Sequence, residues 1–268
     1  VCLYPMMYVI FASLSDSGLL TQHSGLLIAP IGFSTAAYEK VFNNPMIIRG
    51  YMNTLFLLVV GVSVQVMMTA LAAYVLSRKN VMWKSLLMRL ITFTMFFSGG
   101  MIPFYLNMKQ LNLTNSLMGL IIPFMINTYN LIILRTSFAS IPESLTEAAQ
   151  IDGAGHLKIL FSIVLPLSKA ILAVMVLYYG VGVWNSWFWA STILRDREYY
   201  PLQVVLREIL LQNSMSNMTT GVSAGDQESV AATIKYATIV VATVPILCIY
   251  PFLQKHFAVG VMVGAVKE

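Results

Sequence analysis

The chain has 268 residues, 58% of them hydrophobic and only 10% charged, with a mean hydropathy of +0.76. Soluble domains carry about 25% charged residues, so this balance excludes an ordinary soluble domain and points to a polytopic membrane protein. The net charge of +5 includes no Lys/Arg run interleaved with aromatics; it reflects cytoplasmic Lys and Arg and gives no sign of nucleic-acid binding.

A bilayer core of roughly 30 Å takes about 20 apolar residues of helix. The first apolar segment, 1–14, opens without Met on Val1-Cys2-Leu3-Tyr4-Pro5 and reads as a span entered partway, with earlier residues missing. Full-length candidates follow at 54–76, 86–107, 116–134, 167–190 and 231–253, which makes six spans. All are expected to be helical, because lipid offers no partner to backbone N–H and C=O groups and no barrel-like alternation is present. The fold class is thus all-α, a single six-span transmembrane domain over 1–268. Gly99-Gly100 with Pro103, Pro123, and Pro245 with Pro251 are expected to bend spans three, four and six. Cys2 and Cys248 lie in apolar stretches and read as packing residues.

Six spans put both termini on one side of the membrane. Ser77-Arg78-Lys79-Asn80 with Lys84 is the densest basic cluster, which assigns its side to the cytoplasm. The loop 135–166, lying between spans four and five, and the tail 254–268 are then cytoplasmic. The segment 191–230 becomes the longest external loop, with a polar tract from Gln212 to Ser229.

The loop 135–166 is far longer than the roughly two to eight residues that join neighbouring helices. Within it, Ser140-Ile141-Pro142-Glu143 reads as a capping box with Pro in the first turn. A short helix is expected from Glu143 through Ile151, with Ala148 and Ala149 small enough for another surface to approach. Asp152-Gly153 breaks it, since glycine readily takes positive φ. A second short helix is expected at 154–162, and Leu165-Pro166 opens the next span. The outcome is a helix–turn–helix elbow against the membrane.

Glu147-Ala148-Ala149, three residues, Gly153, nine residues, Ile163, one residue and Leu165-Pro166 resemble the EAA signature at every defined position. That signature marks the permease subunits of binding-protein-dependent ABC importers. The resemblance implies a coupling helix that docks into the ATP-hydrolysing subunit. Glu147, Ala148, Ala149, Asp152, Gly153, Ala154 and Leu157 would belong to the docking element. Along nearly its whole length the chain looks like the six-span, maltose-type sugar permease subunit. Trp184-Asn185-Ser186-Trp187-Phe188, Tyr200-Pro201-Leu202-Gln203 and the end from His256-Phe257 to Lys267 resemble a subgroup importing complex oligosaccharides, alginate importers among them.

The resemblance implies a bacterial cytoplasmic (inner) membrane protein with four kinds of neighbour: a second permease, two ATP-binding subunits, an extracytoplasmic sugar-binding protein and lipid. It implies no cofactor on this chain, with ATP and Mg held by the partners. It also implies that the 191–230 segment meets the binding protein, Tyr199, Tyr200, Arg207 and Asn213 being the contact candidates, and that the tail reaches toward the ATPase interface.

A sugar path needs aromatic faces and hydrogen-bonding groups within the bundle. Asn127, Tyr129 and Asn130 in span four and Tyr178, Tyr179, Trp184, Asn185 and Trp187 in span five supply them. The alternative role for the Asn residues is tying helices together, and for the outer Trp residues an interfacial belt. None of the six spans holds an Asp or Glu, which argues against proton or sodium coupling. Arg89, Lys169 and Lys235 lie close enough to span ends to snorkel. No Gly-x-x-x-x-Gly-Lys-Ser/Thr loop is present to cradle phosphates. His23, His156 and His256 are scattered and suggest no metal or catalytic centre. The chain therefore reads as no enzyme, drawing its energy from a partner. The other readings are an ABC permease for a non-sugar solute, an ion-coupled secondary carrier and a membrane scaffold.

Overall fold

A computed structural model describes residues 3–219 and 233–248, with side chains for 3–211 and 233–248. Three short helices, α1 (Leu3–Ser13), α2 (Ser17–Gln22) and α3 (Ala36–Phe42), precede the long α4 (Pro45–Ser77). Next come α5 (Lys84–Phe96), α6 (Met101–Gln110), two 3-10 turns at Leu117–Leu120 and Ile122–Phe124, and α7 (Thr128–Ala139). The chain continues through α8 (Glu143–Ile151), α9 (His156–Leu167), α10 (Lys169–Trp184), α11 (Phe188–Ile193), α12 (Leu202–Thr219) and α13 (Thr233–Cys248). Among the described residues the β structure is one isolated antiparallel bridge, Ser15 to Phe33.

The continuous spans expected from the sequence are mostly broken. Among the described residues α4 alone is long and apolar enough to cross a membrane unbroken, at 33 residues. That is about 50 Å at 1.5 Å per residue. It starts at Pro45 rather than near 54, because a proline in the first turn loses no helical bond. The Asn44 side chain caps this start by accepting from the Met46 N–H at 3.0 Å.

The expected span 86–107 is α5 and α6 at 116° to each other. Gly100, at φ +88°, provides the corner. The span 116–134 begins as 3-10 turns through Pro123 and meets α7 at 48°. The span 167–190 is corrected most. It is α10, which turns 87° from α9 at Ser168 and ends at Trp184, followed by the start of α11. Pro166 has no N–H to give, and the π turn Leu160–Val164 just before it shows the helix already distorted. The Ser168 N–H is shared between the Val164 and Leu165 carbonyls at 3.1 Å each. Asn185 then closes α10, its side-chain amide donating to the Val181 carbonyl at 2.9 Å. Among the described residues, α4 and the three bent pairs give up to four spans if each pair is one, with α1 and α13 as shorter apolar helices. Pro251 and the tail 254–268 lie outside the described residues, as does Cys2.

The chain forms two compact units, one from 1–54 with 186–250 and the other centred on 55–185, so the boundary falls inside α4. In the first, Ala12, Leu20 and Leu27 are buried under Tyr8, Phe11 and Tyr236. Here the segment 191–230, expected as a long external loop, is helical over 202–219 as α12. Leu202, Val204, Val205 and Leu206 are buried, which holds this helix down despite its polar later half. The Leu202 N–H, orphaned at the helix start, donates to the buried Thr54 hydroxyl at 2.9 Å. A Cβ on Gly50 would stand 3.0 Å from the Leu202 Cα, so a side chain there would press the two backbones apart by a few tenths of an ångström.

In the second unit, the later part of α4 packs against α7 and α10, and α5 lies against α7. Ala70, Ala73, Tyr74, Leu131, Leu134, Phe138, Leu160 and Met175 are buried between them. Small residues on α4 let α7 and α10 come close, as packing between membrane helices requires.

Candidate functional site

The elbow forms as the sequence suggests, with one change at its start. α8 runs Glu143–Ile151, and Gly153 turns the chain at φ +78°. The capping box is not made. Ser140 instead ends α7, its hydroxyl donating to the Ser137 carbonyl at 2.7 Å, and Pro142 occupies the cap position of α8. Glu143 reaches Lys79 at 2.6 Å instead of turning back to its own helix. The second arm, α9, starts at His156 and runs to Leu167, so it is displaced and longer than 154–162.

Three polar contacts fasten the elbow to the end of α4. Lys79 pairs with Glu143, whose hydrogen bond and charge raise the ammonium's pKa above the usual lysine value. Arg78 lies over the Tyr74 ring at 4.5 Å and donates to the Thr146 hydroxyl at 3.2 Å. The Tyr74 hydroxyl meets His156 Nδ1 at 3.2 Å. Ala149 and Ala154 add apolar contacts, packing toward the core beneath. Glu147, Ala148, Asp152 and Gly153 face outward, and a Cβ at Gly153 would meet nothing within 4 Å. Ile151 is 87% exposed and Leu157 66%. Two large apolar side chains thus stand in the open on either side of a corner with no side chain of its own.

A second cluster lies inside the same unit. The Tyr179 hydroxyl, buried in the centre, contacts the Thr69 hydroxyl at 2.6 Å and accepts from the Asn127 N–H at 3.0 Å. Asn127 caps α7, its side-chain oxygen accepting from the Asn130 N–H at 3.1 Å. Gln65 donates to the Phe124 carbonyl at 3.1 Å, leaving its own side-chain oxygen buried without a partner. Tyr178 is exposed and packs beside Tyr129, ring centroids 6.5 Å apart. Asn127 and Asn130 are therefore brought together, while Tyr178 meets the same helix through Tyr129. Trp184, which is buried, and Asn185 lie about 9 Å further along α10. Gln65 and Thr69 were missed in the sequence, although polar residues four apart on an otherwise apolar helix share one face.

In the first unit, Tyr199 is exposed, and the Tyr200 carbonyl accepts from the Asn53 amide at 3.1 Å. Arg207 places its guanidinium 3.9 Å over the Trp187 ring, a cation–π contact. The Asn213 side chain lies outside the described residues. Among the described residues no three His, Cys, Asp or Glu side chains gather as a metal ion would need.

Residues 28–262 match the family described as the binding-protein-dependent transport system inner membrane component. The chain belongs to that family. It is a helical permease component of the inner membrane. A polygalacturonan/rhamnogalacturonan transport system permease protein of Bacillus subtilis (strain 168), YtcP, is 43% identical over 272 residues, covering all of this chain and 93% of that one. Protein LplC of the same organism is 40% identical over 267 residues, covering all of this chain and 90% of its own. Among solved structures, a chain of a bacterial ABC transporter involved in the import of the acidic polysaccharide alginate superposes with a TM-score of 0.85. Its sequence is 34% identical, and the match covers 96% of this chain and 91% of that chain.

Proposed function

We propose that this permease is one half of the membrane path of an ATP-driven importer for acidic oligosaccharides, with the elbow as the point where an ATP-hydrolysing partner acts. The observation that carries this reading is the exposed tip: Ile151 and Leu157 flank the open corner at Gly153 in a member of an importer family. Exposed apolar side chains on a polar loop are the kind of anchor a partner's groove buries. Glu147, Ala148, Asp152 and Leu157 would line the contact, and Gly153 would set its angle. Ala149 and Ala154 would carry the push inward, since they already pack on the core.

Support for the substrate class comes from chemistry shared by two relatives. Polygalacturonan and alginate are both polymers of carboxylate-bearing sugars, and the proteins named for them are 43% and 34% identical to this chain. Asn127, Asn130, Tyr178 and Asn185 would offer hydrogen bonds and an aromatic face to a passing sugar. Tyr199, Tyr200, Arg207 and Asn213 would meet an external binding protein. The full complex would hold a second permease and two ATPase subunits that bind ATP and Mg. The chain would cross the membrane six times with both termini in the cytoplasm. ATP-driven closure of the ATPase pair would swing the elbow and its helices between two states as rigid bodies.

The test is reconstitution of the complete complex in proteoliposomes with its binding protein and ATP. The expected result is ATP-dependent uptake of labelled tetragalacturonate in preference to maltotetraose. Uptake by this chain alone under an ion gradient, without ATP or partners, would refute the proposal.

A further inference from the structure

α5 carries a feature that neither coupling nor a sugar path uses. α5 has no buried residue along its whole length. Between it and α7 lies an open-sided groove of about 790 Å³, lined by Lys84, Ser85, Met88, Arg89, Thr92, Phe93, Phe96 and Arg135. The three cations stand toward one end and the aromatic rings toward the other. From Lys84 to Phe96 is about 18 Å along the helix, close to the ~15 Å of hydrocarbon in one leaflet.

The cations of this groove crowd one another: burial and the charges of Arg135 and Arg78 lower the Lys84 pKa, outweighing the opposite pull of Glu143. Lys84 donates to the Arg78 and Ser77 carbonyls at 2.8 and 3.4 Å. Arg135 donates to the Leu76 carbonyl at 3.3 Å, and Arg89 to the Ser85 carbonyl at 3.3 Å. All three therefore rest on neutral acceptors, and no carboxylate belongs to the lining. Next to the charged end, Met82 and Trp83 are exposed, and Trp83 holds φ at +62°, a strained value for an aromatic residue. Tryptophan at the head of an apolar helix is the usual anchor at the level of lipid headgroups.

We infer that this groove is a binding site for one anionic glycerophospholipid, its phosphate held by Lys84, Arg89 and Arg135 and an acyl chain lying along Met88, Phe93 and Phe96. The complementarity is twofold: unpaired cations at headgroup level and an apolar trough one leaflet deep. A zwitterionic lipid would meet the same trough while bringing a cation of its own to the charged end. The site depends on the orientation proposed above only for which leaflet it faces. Bound lipid would brace α5 against α7, on the helix that leads directly into the elbow.

The test reads lipid, not transport, so it stands apart from the proposed function. The purified complete importer is exposed to phosphatidylglycerol or phosphatidylcholine and the retained lipid is counted by native mass spectrometry. At roughly fivefold for each cation near the headgroup, phosphatidylglycerol should be retained about a hundredfold better. Arg89→Gln, at an exposed position where folding is undisturbed, should reduce that preference about fivefold. Lys84→Gln with Arg89→Gln and Arg135→Gln should abolish it. A photoreactive acyl chain on phosphatidylglycerol should label residues 84–96, and the same chain on phosphatidylcholine should not. Equal retention of the two lipids, a preference unchanged by Arg89→Gln, or crosslinking of the groove to the second permease in place of lipid would each overturn the inference.

Discussion

Replacing Gly153 by valine puts a β-branched side chain where the backbone holds φ at +78°. No atom lies within 4 Å of the added Cβ, so a clash within the chain contributes nothing to the effect. What remains is backbone strain, about 1–3 kcal/mol for a residue held in such a region. That corresponds to a shift of roughly 5- to 150-fold away from the native turn. The elbow keeps its grip on α4 through Lys79, Arg78 and Tyr74, so the subunit still inserts and assembles. The misdirected part is the tip carrying Ile151. The assay is substrate-stimulated ATP hydrolysis by the reconstituted complex, with assembly checked by size exclusion. Valine should abolish most of the stimulation, while asparagine, which tolerates left-handed backbone, should restore it where turn geometry alone matters. If asparagine fails as valine does, the partner needs the surface at this corner to be free of any side chain. Full stimulation with valine would refute the coupling role.

Tyr179→Phe removes the hydroxyl shared by Thr69 and the Asn127 N–H, each loss costing about 1–3 kcal/mol where the group is buried. The complex should melt lower by thermal-shift measurement, and adding Thr69→Val should cost less than the two single changes summed. Additivity would show that the hydroxyls do not depend on each other. Thr54→Val keeps the shape but leaves the buried Leu202 N–H without an acceptor, for a loss of about 1–3 kcal/mol. Thr54→Ser should recover most of it, and equal melting of the two variants would count against this cap.

How much was legible depended on whether a signal was local. The span Glu143–Ile151 and the turn at Gly153 follow from residues within one stretch of chain, and the structure has both. The Ser140 cap failed because a serine hydroxyl chooses between two helices. Its neighbour Ser137 offered a carbonyl first, and Lys79, 64 residues away in sequence, took the Glu143 carboxylate. The bends after Phe96 and near Pro123 could be anticipated from Gly and Pro. The 87° corner at Ser168 was harder to read, because Leu165-Pro166 also fits the opening of a straight span. α12 was hidden by average composition, because the polar residues of 212–229 masked the four buried aliphatics at its start. Gln65 and Thr69 were obscured in the same way by the apolar run around them, and only the position of Tyr179 on another helix gives them a role.

The joint between the elbow and α4 combines different kinds of bond. One contact is an exposed ion pair, another a guanidinium on an aromatic ring, a third a hydroxyl against imidazole, and the alanines add plain apolar contact. Salt screens the first and leaves the packed contacts largely untouched. No single change in the surrounding medium loosens every fastening at once. The joint is buffered against its surroundings by chemical diversity, so the grip of the elbow on α4 depends little on ionic strength.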